Sequence, residues 1–139
     1  MKIVTIEWRD GRIKLIDQTK LPDILSYLYI DNVKDLYYAI KELKVRGAPA
    51  LGAAGALGVY LGVKDLNENK FPQFLRRLNS ISFYLNSSRP TARNLSWGIE
   101  RVLKTALANR DLSITQIKKL ILNEALKIID EDKESCRRI

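Results

Sequence analysis

The first thirty residues alternate apolar and polar positions in a pattern that predicts β-strands. Residues 3–17 read IVTIEWRDGRIKLID, with apolar residues at 4, 6 and 8 and the pair Asp10-Gly11 between two such runs. Because Asp-Gly tolerates the positive backbone angles of a two-residue turn, this segment predicts a β-hairpin. After Pro22, the run Ile24–Ile30 is apolar, β-branched and aromatic. It fits a third strand or the start of a helix, and we favour the strand.

A helical period replaces the alternation beyond residue 30. Asp31 or Asn32 can cap a helix with apolar positions at Val33, Leu36, Tyr37, Ile40 and Leu43. A later helix, ended by the Asn86-Ser87-Ser88 loop, is predicted from Phe71, Phe74, Leu75, Leu78, Ile81 and Leu85. The next has Pro90 near its first turn and the apolar face Leu95, Ile99, Val102 and Ala106. The last begins at Ser113 or Thr115 and has the apolar face Ile117, Ile121, Ala125 and Ile128.

A segment of small residues lies between the first of these helices and the others. From Val45 to Gly62 it holds five of the seven glycines of the chain. Glycine in an isolated helix costs about 1 kcal/mol relative to alanine, so we expect a helix here only if it is tightly packed. The predicted fold class is therefore α+β, with a small N-terminal antiparallel β-element followed by a mostly α-helical domain of about five helices. Strands and helices do not alternate, so a complete doubly wound sheet is not expected.

Composition excludes several classes of protein. With 139 residues, 46% apolar and 29% charged, the chain is long enough for one domain with its own core. No apolar run approaches the roughly 18 residues of a membrane span, and MKIVTIEWRD does not resemble a signal peptide, so we expect a cytoplasmic protein without membrane contact. One cysteine and no histidine exclude an internal disulfide, a zinc finger and a histidine triad. We expect neither a metal nor a cofactor.

The charge balance allows an anionic partner without requiring one. The formal net charge is +8, which suits nucleic acid or a phosphorylated metabolite. The basic residues are scattered, mostly as pairs that we expect on solvated helix faces: Arg76-Arg77, Lys118-Lys119 and Arg137-Arg138. A basic stripe and exposed RNA-stacking aromatics are missing from the pattern, so nucleic-acid binding is disfavoured.

Two loops combine an arginine with a predicted helix start. In VRGAPA at 45–50, backbone N–H groups and the positive end of a helix would lie beside Arg46, whose guanidinium can bind phosphate bidentately. In SRPTARN at 88–94, Arg89 is placed in the same way. Close helix packing explains the first loop equally well, and an arginine and proline at a helix start, taken alone, more often serve plain capping. Taken together, two such loops suggest a phosphate clamp.

The other candidate groups favour surface roles. Cys136 lies in a charged terminal segment with no general base nearby in sequence, and we interpret it as an incidental thiol. The acidic residues of the last two helices are interpreted as helix-surface charges: Glu100, Asp130, Glu131 and Asp132. We therefore predict no catalytic residue in this chain.

Four segments, in this order, resemble the N-terminal domain of methylthioribose-1-phosphate isomerase: LIDQTKLP at 15–22, VRGAPA at 45–50, SRPTARNL at 88–95 and Glu131-Asp132. That family is related to ribose-1,5-bisphosphate isomerase and to the regulatory subunits of the eukaryotic translation-initiation guanine-nucleotide exchange factor. The resemblance implies an aldose-ketose isomerisation in methionine salvage, from methylthioribose 1-phosphate to methylthioribulose 1-phosphate. It implies substrate binding by Arg46, Gly47, Ala48 and Arg89.

The resemblance also implies a partner domain. In the family the catalytic Cys and Asp belong to a second, Rossmann-like domain that begins beyond the end of this chain, and Cys136 does not match that cysteine. Residues 1–139 are thus expected to be the substrate-clamping N-terminal domain of a two-domain isomerase, inactive alone. The expected partners are a phosphorylated pentose, a C-terminal catalytic domain or subunit and, in a homo-oligomer, further copies of the chain.

Several interpretations stay open at this point. The chain is a truncated or proteolysed domain, a split subunit that works with a separate catalytic chain, or a relic with another role. The alternative to an isomerase is a non-catalytic binding or regulatory module, which would bind a partner protein and no sugar phosphate. A nucleic-acid-binding protein would instead show a steep salt dependence of its affinity.

Overall fold

The N-terminal sheet forms where the alternation and the Asp-Gly pair predict it. The computed structural model describes residues 6–42, 44–45 and 48–137. Its antiparallel sheet has the order β1 (Ile6–Arg9), β2 (Arg12–Ile16) and β3 (Tyr27–Ile30). Asp10 and Gly11 have φ angles of 54° and 76°, the left-handed values of a tight hairpin turn. The third strand predicted within Ile24–Ile30 is confirmed as β3, over Tyr27–Ile30.

Five helices follow the sheet: α1 (Val33–Lys41), α2 (Ala48–Val63), α3 (Phe71–Asn86), α4 (Arg93–Ala108) and α5 (Ile114–Arg137). Asn32 caps α1 by accepting a hydrogen bond from the Asp35 N–H at 2.9 Å. The apolar faces predicted for α3 to α5 form the core, with buried side chains at Phe74, Leu78, Leu85, Leu95, Ile99, Val102, Ala106, Ile117, Ile121, Ala125 and Ile128. The α+β prediction is confirmed. Within the described ranges, no helix is both long and apolar enough to cross a membrane.

Helix α2 is the centre of the domain. Every side chain or glycine from residue 50 to residue 59 is buried, and α3, α4 and α5 all pack against it. A Cβ atom on Gly55 would lie 2.9 Å from the Leu95 side chain, and one on Gly62 2.7 Å from Ile81. The glycines let the neighbouring helices approach closely, which confirms that this helix is tightly packed.

The sheet covers one side of the helices. The strand register places Ile6, Trp8, Ile13 and Leu15 on one face, and the Trp8 ring meets Tyr60 of α2 edge to face at 5.6 Å. On the opposite face, basic side chains of β2 lie over the tyrosines of β3. The alternation read from the sequence is thus the division between core and solvent.

Two local predictions need correction. Helix α4 begins at Arg93, with Ala92 as its N-cap residue. Pro90 therefore lies in the preceding turn, because its fixed φ suits a turn as well as a helix start. Lys118 does not lie on a fully solvated face: it is half-buried, and its ammonium group donates to the Leu66 carbonyl at 2.6 Å. There it supports the C-terminal end of α2, where positive charge is favourable.

Candidate functional site

The N-terminal ends of α2 and α4 lie side by side because two glycines let the helices touch. A Cβ atom on Gly98 would lie 2.8 Å from the Cα of Gly52, and one on Gly52 would lie 3.3 Å from the Asn94 carbonyl oxygen. Gly52 is one helical turn beyond Ala48, the start of α2, and Asn94 is the second residue of α4. Both helix starts therefore lie at the same end of this crossing.

Helix α3 positions the loop that precedes α4 near the crossing of α2 and α4. It runs antiparallel to α2, because Gly58 faces Leu85 and Gly62 faces Ile81. Its C-terminal end consequently lies beside the middle of α2, and the loop that follows continues toward the N-terminal end of α2. Ser88 is buried, and its hydroxyl donates to the Leu85 carbonyl at 2.6 Å. The loop is anchored at its start, and Arg89 follows directly.

The start of α4 presents backbone donors and basic side chains. The N–H of Ser96 makes the first helical hydrogen bond, to the Ala92 carbonyl at 3.2 Å. The N–H groups of residues 93–95 have no acceptor within the helix, and Ala92 has no polar side chain to cap them. Arg89 is half-buried and Arg93 exposed at this end. Backbone donors, the helix dipole and arginine together favour an anion.

The segment around Asp17 braces the loop that precedes α2. The Gln18 N–H donates to the Lys44 carbonyl at 2.9 Å, and the buried Asp17 carboxylate accepts from the Thr19 N–H at 3.0 Å and its hydroxyl at 2.5 Å. Burial raises the pKa of Asp17, but the Thr19 hydrogen bonds and the charges of Lys44 and Lys20 outweigh it and leave the pKa below its ordinary value. This carboxylate is structural: it holds the turn at Thr19, and the Gln18 N–H beside it bonds to the segment that precedes Arg46.

An ion-pair cluster links α4 to α5. The Nε of Arg101 donates to Glu124 at 2.6 Å, and its Nη1 donates to Glu131 at 3.0 Å. The hydrogen bond and the charge of Arg101 outweigh the desolvation of Glu131 and lower its pKa. Glu131 is exposed, as its interpretation as a surface charge requires. Arg101 is committed to these two carboxylates, so it is less available than Arg89 to bind phosphate.

Trp97 is the residue beside this site that sequence reasoning missed. It is 49% exposed, its ring lies 3.2 Å from a Cβ atom built on Gly52, and the Arg101 guanidinium is 5.4 Å from the ring centre. A signal for it exists in the sequence. Trp97 falls outside the apolar stripe that Leu95 and Ile99 begin, so it is a large aromatic residue at a position where the helical period predicts a polar one.

The structure describes some of the predicted site residues and not others. Arg46 and Gly47 lie outside the described residues, and of Ala48 only the backbone is described, as the first residue of α2. Arg89 lies in the turn before α4, as its position in a loop ahead of a helix predicts. The meeting of the two helix starts is observed, whereas the clamp between Arg46 and Arg89 stays a prediction. The Cys136 side chain also lies outside the described part of the chain.

Metal ligands do not cluster in the described structure. Among its His, Cys, Asp and Glu residues, no group of three or more lies close enough to hold a metal ion. The chemistry that the described site offers is anion binding by N–H groups and arginine.

The model of the Initiation factor 2 subunit family matches residues 44–139. The chain belongs to this family. The match includes α2, α4 and the loop between α3 and α4, so the whole described site is part of it.

Members of the wider family with assigned functions are similar over nearly all of this chain. The 5-deoxyribose 1-phosphate isomerase of Moorella thermoacetica is 47% identical over 137 residues, which are 99% of this chain and 39% of that protein. The enzyme of the same name from Clostridium botulinum strain Loch Maree is 43% identical over 140 residues, 99% of this chain and 40% of that protein. The chain thus spans about 40% of the length of these sugar-phosphate isomerases.

Two solved structures have the same fold. The translation initiation factor eIF-2B subunit delta from A. fulgidus gives a TM-score of 0.85 at 45% identity, over 96% of this chain and 38% of that one. The 5-methylthioribose 1-phosphate isomerase from Pyrococcus horikoshii OT3 gives a TM-score of 0.86 at 33% identity, over 94% of this chain and 36% of that one. The family resemblance read from the sequence is confirmed.

Proposed function

We propose that this chain is the substrate-binding N-terminal domain of an aldose-ketose isomerase that acts on a pentose 1-phosphate. The observation that carries the proposal is the crossing at Gly52 and Gly98, which brings two helix starts to one place. The similarity to sugar-phosphate isomerases over 99% of the chain supports it. In this proposal Arg46, Gly47, Ala48 and Arg89 bind the substrate.

The proposed substrate is methylthioribose 1-phosphate, converted to methylthioribulose 1-phosphate in methionine salvage in the cytoplasm. The relative from Pyrococcus horikoshii is named for this sugar. The curated relatives are named for 5-deoxyribose 1-phosphate, which is the alternative substrate. Both sugars carry phosphate on the anomeric oxygen and lack the hydroxyl group at C5.

The proposed division of labour follows from the chemistry of such a substrate. Because its anomeric oxygen carries phosphate, acid and base groups must open the furanose ring before a proton or hydride moves between C1 and C2. Arg89 and the N–H groups of α4 hold the phosphate, and each charge-assisted hydrogen bond contributes about 1.5–3 kcal/mol. A C-terminal catalytic domain or subunit supplies the acid and base.

The proposal is tested by joining the chain to the C-terminal region of the Moorella thermoacetica isomerase. We expect turnover by the joined protein and none by the 139-residue chain alone. Replacing Arg89 with glutamine (Arg89→Gln) should lower kcat/KM by about 10–100-fold, because one charge-assisted phosphate contact is lost. Arg76→Gln, at an exposed arginine of α3, is the matched control and should change kcat/KM less than twofold.

Two results would contradict this proposal. One is equal kcat/KM values for the Arg89 and Arg76 variants. The other is isomerisation by the 139-residue chain alone, since that would place the acid and base within it.

The second candidate function is a non-catalytic regulatory module. Its support is the 45% identity to the eIF-2B subunit delta from A. fulgidus. A module of this kind would bind a partner protein and no pentose phosphate. Isothermal titration of the chain with 5-deoxyribose 1-phosphate separates the two candidates, because only the isomerase domain should release heat.

A further inference from the structure

Trp97 borders the proposed phosphate site. Its ring contacts α2 at Gly52, and Gly52 shares a helix face with Ala48, four residues earlier. Side chains on a helix lean toward its N-terminus, so the indole leans toward the start of α4. The ring therefore stands about one helical turn, roughly 5.4 Å, from the place where α2 begins.

The Trp97 ring is contacted from α2 and from the next turn of α4. Gly52 has no side chain to push it away, and the Arg101 guanidinium lies 5.4 Å from the ring centre. Arg101 is in turn fixed by Glu124 and Glu131. A half-exposed aromatic surface is thus preorganised beside arginines and backbone donors, and preorganisation lowers the cost of binding.

The two substrates named for the relatives share an apolar C5 end. A hydrogen atom or a methylthio group replaces the C5 hydroxyl, and the phosphate lies on the C1 oxygen at the other end of the sugar. A furanose ring places these ends about one helical turn apart, which matches the separation between the start of α2 and the indole. With the phosphate at the helix starts, C5 can reach the ring of Trp97.

We infer that Trp97 is a specificity-determining residue that contacts the apolar C5 end of the sugar phosphate and disfavours a C5 hydroxyl. This inference rests on the proposed function. A C5 hydroxyl that packs against the indole loses its hydrogen bonds to water, which costs binding free energy. The 5-deoxy sugar avoids this cost, so it is preferred over ribose 1-phosphate. Differences of this size in an apolar subsite are worth about tenfold or more in kcat/KM.

The test compares 5-deoxyribose 1-phosphate with ribose 1-phosphate on the chain joined to the C-terminal region of the Moorella thermoacetica isomerase. Trp97→Gln should reduce the preference in kcat/KM to within about threefold, and Trp97→Phe should retain most of it. Phe83→Gln, at a 77% exposed aromatic residue of α3, is the matched control and should keep the full preference. Inhibition by inorganic phosphate should be unchanged in every variant, because phosphate does not reach the indole.

A spectroscopic arm follows the indole directly. The chain has two tryptophans, so in the joined protein the emission of Trp97 is the difference between the Trp8→Phe variant and the Trp8→Phe/Trp97→Phe variant. At saturation, 5-deoxyribose 1-phosphate should shift or quench this difference emission, and inorganic phosphate should not.

The outcomes separate the two proposals. If wild-type protein turns over the sugar but Trp97→Gln keeps the full preference, or the emission does not respond, the role of Trp97 is overturned and the isomerase proposal stands. If neither the chain nor the joined protein binds a pentose 1-phosphate, both are overturned. Both proposals are supported if Trp97→Gln is the only variant that loses the preference for the 5-deoxy sugar and if the sugar changes the emission of Trp97.

Discussion

Helix α4 contacts α2 and α5 in opposite ways. Against α2 it touches backbone to backbone, at Gly98 and Gly52. Against α5 it uses long side chains, with Arg101 reaching Glu124 and Glu131. A backbone contact tolerates no added atom, whereas an ion pair of flexible side chains adjusts to small shifts. The backbone contact with α2 therefore constrains the helix starts of the candidate site more strictly than the Arg101 ion pairs constrain α5.

The largest expected effect comes from adding one methyl group at the backbone contact. In Gly98→Ala the new Cβ would overlap the Gly52 backbone, which cannot move without separating the helices. We expect the free energy of unfolding to fall by about 3 kcal/mol, the upper part of the overpacking range. Urea unfolding measures it.

Gly62→Ala is the matched control for this change. The three atoms nearest to its Cβ would all belong to the Ile81 side chain, and alanine gains about 1 kcal/mol of helix propensity at either position. We expect a net change within about 1 kcal/mol. Equal destabilisation by the two variants would show that the Gly98 contact is no stricter than ordinary side-chain packing.

Breaking the α4–α5 contact should cost less. The side chains of Arg101 and Glu124 are 22% and 20% exposed, so Arg101→Met removes the hydrogen-bonded partner of a largely buried carboxylate. Glu124 then keeps only the exposed Lys127 ammonium, at 3.6 Å. We expect a loss of about 1–2 kcal/mol. Arg77→Met is the matched control, because Arg77 pairs with Glu68 at 3.6 Å on the surface, where a pair contributes at most about 1 kcal/mol.

The same variant should change the response to pH. Arg101 lowers the pKa of Glu131 in the folded protein, so the resulting stability is present at neutral pH and lost as the pH falls below the ordinary pKa of a carboxyl group, about 4. Thermal unfolding between pH 7 and pH 3 should therefore depend less on pH in Arg101→Met than in wild type. An unchanged pH profile would exclude the Arg101–Glu131 pair as a source of stability.

The sequence predicts the elements because their signals are local. Asp10-Gly11 specifies its turn through backbone angles within two residues, and Asn32 caps α1 through a contact three residues away. The burial of Leu95 and Ile99 follows from the helical period alone. Such signals need no knowledge of the rest of the fold.

The tertiary contacts of the site could not be predicted in this way. Gly98 is a single glycine within a helix. Its importance for packing depends on Gly52, which lies against it only when α2 and α4 pack together. Arg101 has acidic residues near it in sequence, but its partners Glu124 and Glu131 are chosen by the packing of α5. The residues alone suggest a phosphate clamp at Arg46 and Arg89 but leave packing and capping as competing explanations, and the specific substrate roles came from the family resemblance.

The central claim is that the starts of α2 and α4 form a single anion site. Amide NMR of the 139-residue chain during titration with inorganic phosphate tests it most directly. The account predicts that the N–H signals of residues 46–48 and 93–95 move together with one dissociation constant, and that Arg89→Gln weakens both sets by the same factor. If the two sets move with different constants, or only one set moves, the two helix starts do not share a ligand.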